Sequence, residues 1–433
     1  MRGVRLWGMA TGAGPRTSSA GKVEISAEDE LAIQEAWAAV VPEADRIADE
    51  ITRMLLAKDR GFYESIPAEV AADIRAGTRE NIRRGLRNMS GQPQPEGRAV
   101  DLWRDTGRRR ARQGIPLELV LSAYSLGVRV LWEALLERQR SQRLEVDERV
   151  LILAGHAVWS ALDVQNAIIV EAYRSESLRM QRLDLRRRLS VLDRLAEGRG
   201  SDPAFAEEAR QVLDLGSHDR VACVVAILGA TAESPLRMPE DGLERIDVTS
   251  HWHIRGGHHF GLLVLGEHDV ADVVRVLRPM TSGRVGIMAS RTGLAGFATA
   301  FQLAARAAAT LPEEGSGVVP AADRLPELLL ARSREVTEVL VAEALGQILA
   351  QPDQHQRMLL DTLAAYLRHD LSPTHAAAEL TCHRNTVIYR VRQLRALTRL
   401  DPHRPRDRML LTLALIAIGR PPEGGPVAPA VTR

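Results

Sequence analysis

The sequence predicts a multidomain protein of the α + α/β class, with an all-helical N-terminal domain, a central α/β domain and a C-terminal helix-turn-helix. Three observations predict this fold. The chain has 433 residues, enough for two or three domains. Its apolar periodicity is helical up to about residue 195 and strand-like after residue 198. A compact helical unit rich in arginine follows near the C-terminus.

The N-terminal part has the periodicity of amphipathic helices. Apolar residues recur at intervals of three and four, as in Ile47, Ile51 and Leu55. Turn signals at 91–95 and 114–116 separate the helices. We therefore expect residues 26–170 to form a helical domain.

Three tryptophans of this region fall at helical spacing: Trp103, Trp132 and Trp159. They would suit the wall of a ligand pocket. Large aromatic residues at this spacing more often pack in a core, so we expect core positions for all three.

Residues 171–200 are predicted to form a connecting helix. Five leucines follow a seven-residue pattern there, namely Leu178, Leu185, Leu189, Leu192 and Leu195. Such a seam suits a parallel contact between two subunits, and therefore a homodimer or higher oligomer. A single amphipathic surface helix explains the same pattern, and both alternatives stay open.

Short, β-branched apolar runs begin after Gly198. The runs at 220–228, 260–265 and 284–289 predict buried strands, with helical segments between and after them. An α/β domain over 205–320 follows from this alternation. Residues 325–420 return to helix, with a core at 356–419, and the segments 1–25 and 421–433 are predicted to be disordered.

Charge and cysteine content restrict the classes of function. The formal net charge is only +1, so any nucleic-acid site must be a local patch. The two cysteines, Cys223 and Cys382, form no metal-ligand spacing and no disulfide framework. There is no signal-peptide pattern, and we expect no run of about 18 apolar residues. These features predict a cytoplasmic protein with no membrane partner.

A helix-turn-helix is predicted within the C-terminal region. Ser372 and Pro373 start a short helix by capping and by a fixed first turn. The turn falls at 381–383, and a second helix then directs three apolar side chains inward: Val387, Val391 and Leu394.

The outer face of this second helix carries the residue types that bind DNA. Arg384 and Asn385 are candidates for reading bases, because arginine pairs with guanine and asparagine with adenine in the major groove. We expect phosphate contacts from Thr386, Tyr389, Arg390, Arg392 and Arg395. Residues 355–420 contain eleven arginines and five acids, which concentrates the positive charge there. A helical pair with a solvated basic face is the alternative.

The string from His383 to Val391, His-Arg-Asn-Thr-Val-Ile-Tyr-Arg-Val, resembles the C-terminal helix-turn-helix of PucR/CdaR-type transcriptional regulators. A leucine-rich segment at 359–367 precedes it, as in that family. The resemblance implies a bacterial transcription factor bound to a double-stranded DNA operator, and it assigns residues 384–386, 389 and 390 to the recognition helix.

The middle domain resembles the degenerate GGDEF-like domain of the same regulators, through Arg255-Gly256-Gly257-His258-His259. In diguanylate cyclases two acids follow the glycines, and they bind magnesium. Histidines are poor magnesium ligands, so we expect no cyclase activity. A transition-metal site formed by His251, His253, His258 and His259 is the alternative to a surface hairpin with polar side chains. We expect the hairpin, and hence no metal, no cofactor and no catalytic residue.

The N-terminal domain resembles the RsbRD-type sensor region found in actinobacterial regulators, through residues 107–117 and 123–127. The resemblance implies signal input from an unidentified small-molecule or protein effector. The arginines between Arg108 and Arg112 suit an acidic partner, although a solvated helix end is the commoner outcome.

These features together predict a sequence-specific DNA-binding transcriptional regulator controlled by its upstream domains. A stress-signalling scaffold that binds no DNA is the main alternative, and a nucleotide cyclase is the less favoured one.

Overall fold

The computed structural model describes residues 26–93, 99–141, 146–229 and 234–422. The segment 1–25, predicted to be disordered, lies outside the described residues, as do positions 423–433 of the predicted C-terminal tail. The chain divides into two compact units, Met1–Asp184 and Leu185–Arg433.

The first unit is helical wherever it is described. Its helices are α1 (Ala27–Ala38), α2 (Ala44–Lys58), α3 (Arg60–Tyr63), α4 (Ala68–Met89), α5 (Ala99–Arg112), α6 (Leu117–Arg140) and most of α7 (Glu148–Ala196), whose last residues belong to the second unit. Ser26 caps α1 by accepting the Asp29 backbone N–H. The predicted connecting segment at 171–200 covers the second half of α7, which starts at Glu148 without a break and ends at Ala196, before the predicted end.

A hydrophobic core holds the first unit together. The largest fully buried side chains there include those of Trp37, Ile47, Ile51, Leu86 and Leu135. The periodicity predicted these positions on α2, because residues four apart lie on one face of a helix. The all-helical prediction for this unit is confirmed.

The three tryptophans of this unit differ in their surroundings. Trp103 is buried and Trp132 is half-buried against the core. Trp159 has 48% of its surface exposed and meets Trp132 edge to face, so its predicted core position is wrong. Helical spacing places a residue on a face, but here that face of α7 is only partly covered.

One helix among the described residues, α6, is long and apolar enough to cross a membrane by length and composition. From the sequence we expected no apolar run long enough to cross a membrane. The helix buries Val120, Leu126, Val130 and Leu131 inside the first unit. The core helix of a globular domain passes the same test, so this feature is weak evidence for a membrane span.

The second unit begins with an α/β region. Its elements are α8 (Pro203–Leu213), β1 (Val221–Ile227), α9 (Pro239–Glu244), β2 (Thr249–Arg255), β3 (His258–Val264), α10 (Val270–Leu277), β4 (Arg284–Ala289), α11 (Phe297–Ala309) and β5 (Gly317–Pro320). The strands form one mixed sheet in the order β2-β3-β1-β4-β5, with β4 and β5 parallel and the other pairs antiparallel.

The central strand β1 is buried on both faces of the sheet. Val221, Cys223 and Val225 pack against α8 and α11 on one side. Ala222 and Val224 pack in a separate cluster on the other side. Burial of both faces explains why this strand has a continuous apolar sequence rather than an alternating one. The three strands predicted from such runs are confirmed, whereas β5 was not predicted.

Helix α11 approaches the sheet closely at Gly286 on β4. A Cβ atom at this glycine would lie 1.9 Å from the carbonyl oxygen of Ala304 and 2.8 Å from the backbone nitrogen of Ala308. Ala304 and Ala308 are themselves completely buried. Small residues on both elements therefore set the distance between helix and sheet.

Six helices follow: α12 (Leu325–Arg332), α13 (Arg334–Leu349), α14 (Asp353–Arg368), α15 (Pro373–Glu379), α16 (Arg384–Thr398) and α17 (Pro405–Ala417). Leucines from α13, α14, α16 and α17 share one core that includes Leu345, Leu359, Leu394 and Leu415.

The leucine seam on α7 divides between two environments. Leu192 and Leu195 are buried in the core of the α/β region. Leu178 and Leu185 have 52% and 55% of their surface exposed. The last two seam positions therefore pack within the chain, and only 178–189 is open to a contact between subunits.

Candidate nucleic-acid interface

The bihelical unit begins where the sequence places it. Ser372 accepts the backbone N–H of His375 at 3.4 Å, and Pro373 occupies the first turn of α15. A tight turn follows Glu379, and Thr381 adopts a φ of +49° in it. The next helix starts at Arg384, capped by His383, whose Nδ1 accepts the Asn385 N–H at 3.2 Å. Helix, turn and second helix thus follow the prediction, with the histidine cap as an addition.

The inner face of α16 fixes the angle at which the two helices cross. Val387, Val391 and Leu394 are buried, as predicted. Val387 and Val391 pack with Ala376 and Ala377 of α15, whose small side chains allow close approach, whereas Leu394 packs in the leucine core shared with α13, α14 and α17.

The outer face of α16 is exposed at its N-terminal end. Arg384 and Asn385 are exposed, and Thr386 is half-buried. Tyr389 has 67% of its surface exposed, which is uncommon for a tyrosine that stabilises its own fold. Arg392 is exposed further along the helix. This stretch presents donors, an amide and an aromatic ring to solvent on a rigid element.

Two arginines that we expected to be free have partners inside the chain. Arg390 donates to the hydroxyl of Thr362 on α14 at 3.4 Å. Arg395 pairs with Asp401 at 2.8 Å. Sequence spacing placed both on the outer face but did not show these neighbours, because the partners come from other segments.

A cluster around Glu379 fixes α15 against α14, and the sequence analysis missed it. Glu379 pairs with Arg368 and accepts from His369 Nε2 at 2.7 Å. Burial opposes ionisation of the Glu379 carboxyl, but the hydrogen bonds from His369 and Arg368 outweigh it and lower its pKa. The sequence signal was a single acid at the end of a helix in an arginine-rich region.

Comparison with known families adds to this geometry. Residues 359–417 match the family model described as the PucR C-terminal helix-turn-helix domain. These residues span α15, α16, α17 and most of α14. The chain carries a PucR-type helix-turn-helix domain.

Residues 45–188 match a second family model, the RsbT co-antagonist protein rsbRD N-terminal domain. The first unit thus contains an RsbRD-type domain. Together, the RsbRD-type and PucR-type domains point to a regulator rather than an enzyme, and the PucR-type domain supports a role in transcription regulation.

One solved structure with similarity to the chain is described as the regulator of polyketide synthase expression from Bifidobacterium adolescentis. It is 18% identical, and the alignment covers 53% of this chain and 96% of that one, with a TM-score of 0.27. No curated protein sequence matches the chain.

Outside the PucR-type domain, the four histidines of the middle region lie on the β2–β3 hairpin. Gly256 and Gly257 form its turn with φ of +53° and +78°. His251 donates to the carbonyl of Leu213 at 2.9 Å, and His253 pairs with Asp193 at 3.1 Å. His259 lies on the opposite face of the sheet and meets Ser234 at 2.6 Å.

The hairpin histidines therefore have separate partners. His258, the fourth, stacks edge to face on Phe301. Within the part of the chain that the structure describes, no group of three or more histidines, cysteines or acids is placed to hold a metal ion.

The arginines between 108 and 112 are exposed except for Arg110, which agrees with a solvated helix end, but three of them also pair with acids on other helices. Arg109 and Arg110 bond to opposite oxygens of Asp73, at 2.9 and 2.6 Å. Arg112 pairs with Glu176 at 2.8 Å. These pairs join helices of the RsbRD-type domain, so the arginines also have a structural role.

Proposed function

We propose that the chain is a sequence-specific DNA-binding transcriptional regulator whose upstream domains control the PucR-type domain. The observation that carries the proposal is the capped N-terminal end of α16, where Arg384 and Asn385 are exposed beside Tyr389. The N-terminal part of the second helix enters the major groove in helix-turn-helix proteins.

Within this proposal the residues have distinct roles. Arg384 and Asn385 contact base edges, because each has two polar atoms that pair with one base. Thr386, Tyr389 and Arg392 contact phosphates and fix the position of the helix on the duplex. Arg390 and Arg395 take part by holding α16 in place through Thr362 and Asp401, or by exchanging these partners for phosphate.

The proposed regulator acts in the cytoplasm as a homodimer or higher oligomer. Two recognition helices of a dimer would meet successive major grooves about 34 Å apart and favour a two-fold or repeated operator. The exposed part of the α7 seam, at 178–189, supports this assembly. The RsbRD-type domain is the proposed input for a small-molecule or protein effector.

The test compares DNA occupancy across the genome for the wild type and the Arg384→Ala/Asn385→Ala variant. We expect discrete peaks that the variant loses, and a shared sequence that binds the pure protein less tightly as salt rises. Arg275→Ala is the control, because it removes an arginine from the exposed face of α10 and should leave the peaks unchanged.

Two outcomes would contradict the proposal. Peaks that persist in the double variant would remove α16 from DNA recognition. An absence of peaks for the wild type, with protein partners recovered on the RsbRD-type domain, would favour the signalling scaffold.

A further inference from the structure

The RsbRD-type domain contains a partly open cavity of about 150 Å³. Helices α2, α4, α5, α6 and α7 all contribute to its wall. Apolar side chains form most of the lining, among them Leu55, Ile82, Trp103 and Leu131. A cavity of about this size accepts a molecule as large as benzene.

The wall also contains two polar atoms without a partner. The hydroxyl of Tyr124 and the Oδ1 of Asn81 are buried, and neither forms a hydrogen bond among the residues the structure describes. Thr106 and Asn81 interact with the Tyr124 hydroxyl, but neither contact has the distance and angles of a full hydrogen bond. Burial of each such group without a partner is unfavourable, and a core position alone does not offset that cost.

The neighbouring polar side chains are already satisfied. Thr106 donates to the carbonyl of Leu102 at 2.9 Å, and Thr78 donates to that of Ile74 at 2.9 Å. The Nδ2 of Asn81 donates to the carbonyl of Gly77 at 2.9 Å, which leaves its Oδ1 as the free acceptor. The unmet hydrogen-bonding capacity therefore lies at Tyr124 and Asn81.

Charges on the wall are neutralised within the domain. Arg110 pairs with Asp73 at 2.6 Å and also donates to Gln113. Arg84 pairs with Glu80. Because both arginines already have carboxylate partners, a charged ligand would find no attraction strong enough to offset the loss of its own hydration.

We propose that this cavity binds a neutral single-ring molecule with one hydroxyl group, of the phenol class. The ring fills the apolar volume beside Trp103. A hydroxyl group donates one hydrogen bond and accepts others, so one such group can donate to Asn81 Oδ1 and accept from Tyr124. A single small ligand thus satisfies both unpaired atoms.

The binding test uses the full chain without DNA, so its result does not depend on the proposed function. Calorimetric titrations compare phenol with toluene, which has the same ring but no hydroxyl, and with benzoate, which is charged. We expect phenol to bind at least tenfold more tightly than toluene, although toluene is the more hydrophobic of the two. We expect benzoate to bind more weakly than phenol.

Three variants locate the site. Tyr124→Phe removes one oxygen and should abolish the preference for phenol over toluene. Gly85→Leu places a side chain on the cavity wall, where a Cβ atom meets nothing within 4 Å, and should prevent binding. Leucine also favours the helix more than glycine does, so this variant should fold. Gly61→Leu is the matched control, because its Cβ atom also meets nothing within 4 Å but it lies outside the lining.

Several results would overturn the proposal. Equal affinities of the wild type for phenol and toluene would show an apolar cavity without hydroxyl recognition. Tighter binding of benzoate would show an anion site. Phenol binding that survives Gly85→Leu, or no phenol binding by a folded wild type, would show that this cavity is not the site.

Discussion

Replacement of Gly286 by alanine tests the packing of α11 on the sheet. The new Cβ atom would lie 1.9 Å from the carbonyl oxygen of Ala304, about 1.5 Å short of ordinary van der Waals contact. The clashing atoms belong to the backbone of a helix, so no side-chain rotation relieves the overlap. Either α11 or β4 must move.

The cost follows from what that movement separates. Phe297, Ala300 and Ala304 are at most 2% exposed and pack against the sheet from α11. A gap of about 0.5–1 Å forfeits a quarter to a half of each dispersion contact, and forced overpacking costs about 1–3 kcal/mol or more. We expect Gly286→Ala to destabilise the α/β region by about 2–4 kcal/mol.

Cys223 provides a local assay for this loss. It lies on β1, next to β4, and is completely buried. Burial raises the pKa of its thiol well above the usual value, which slows modification further until the sheet opens. In a Cys382→Ser background, the rate at which a thiol reagent labels Cys223 then reports the opening of this region alone.

The expected result is a rate increase of about 30- to 1000-fold, since about 1.4 kcal/mol corresponds to a factor of ten. Gly229→Ala is the control, because its Cβ atom meets nothing within 4 Å. If Gly286→Ala labels no faster than this control, α11 does not pack on β4 as described.

Two further predictions concern the helix-turn-helix and the hairpin. Thr381 adopts a left-handed φ of +49°, which is costly for a β-branched residue. Thr381→Gly should therefore raise the stability of α15 and α16 by about 0.5–1 kcal/mol, measured by hydrogen exchange of their backbone amides. Slower exchange in the wild type than in the variant would refute this prediction. Burial lowers the pKa values of His251 and His259 below 6.5, so the unfolded chain takes up protons first and the α/β region should lose stability as pH falls below about 6.5. His259→Asn should therefore reduce the dependence of unfolding free energy on pH, as measured by urea titrations. A substitution at the exposed His218 is the control and should leave this dependence unchanged. If His259→Asn also leaves it unchanged, burial of His259 is not its cause.

The sequence predicted the elements whose signals are local. The helix pair of the PucR-type domain followed from Ser372, Pro373 and three inward apolar residues, and β1 followed from a continuous apolar run. Strand β5 (Gly317–Pro320) has four residues and no such run, and it forms by parallel pairing with β4. Pairing between distant segments leaves little trace in a short sequence window.

The side-chain partners at the candidate sites were not predictable for the same reason. Arg390 and Arg395 have the spacing of an outer helix face, but Thr362 and Asp401 determine what they contact. Tyr124 has the spacing of a core residue. Only the three-dimensional structure shows that the Tyr124 hydroxyl and the Asn81 Oδ1 are both buried without a full hydrogen bond. Periodicity gives the face on which a residue lies, whereas tertiary packing gives its neighbours.

The ion pairs of the PucR-type domain bear on how many counterions DNA binding would displace. Arg368, Arg395 and Arg420 are paired with Glu379, Asp401 and Asp361. A phosphate gains little net charge neutralisation from an arginine that keeps its carboxylate. The slope of log affinity against log salt concentration should therefore be shallower than if each of the eleven arginines at 355–420 neutralised one phosphate. Removing the Asp401 carboxylate would release Arg395 and steepen that slope by about one unit.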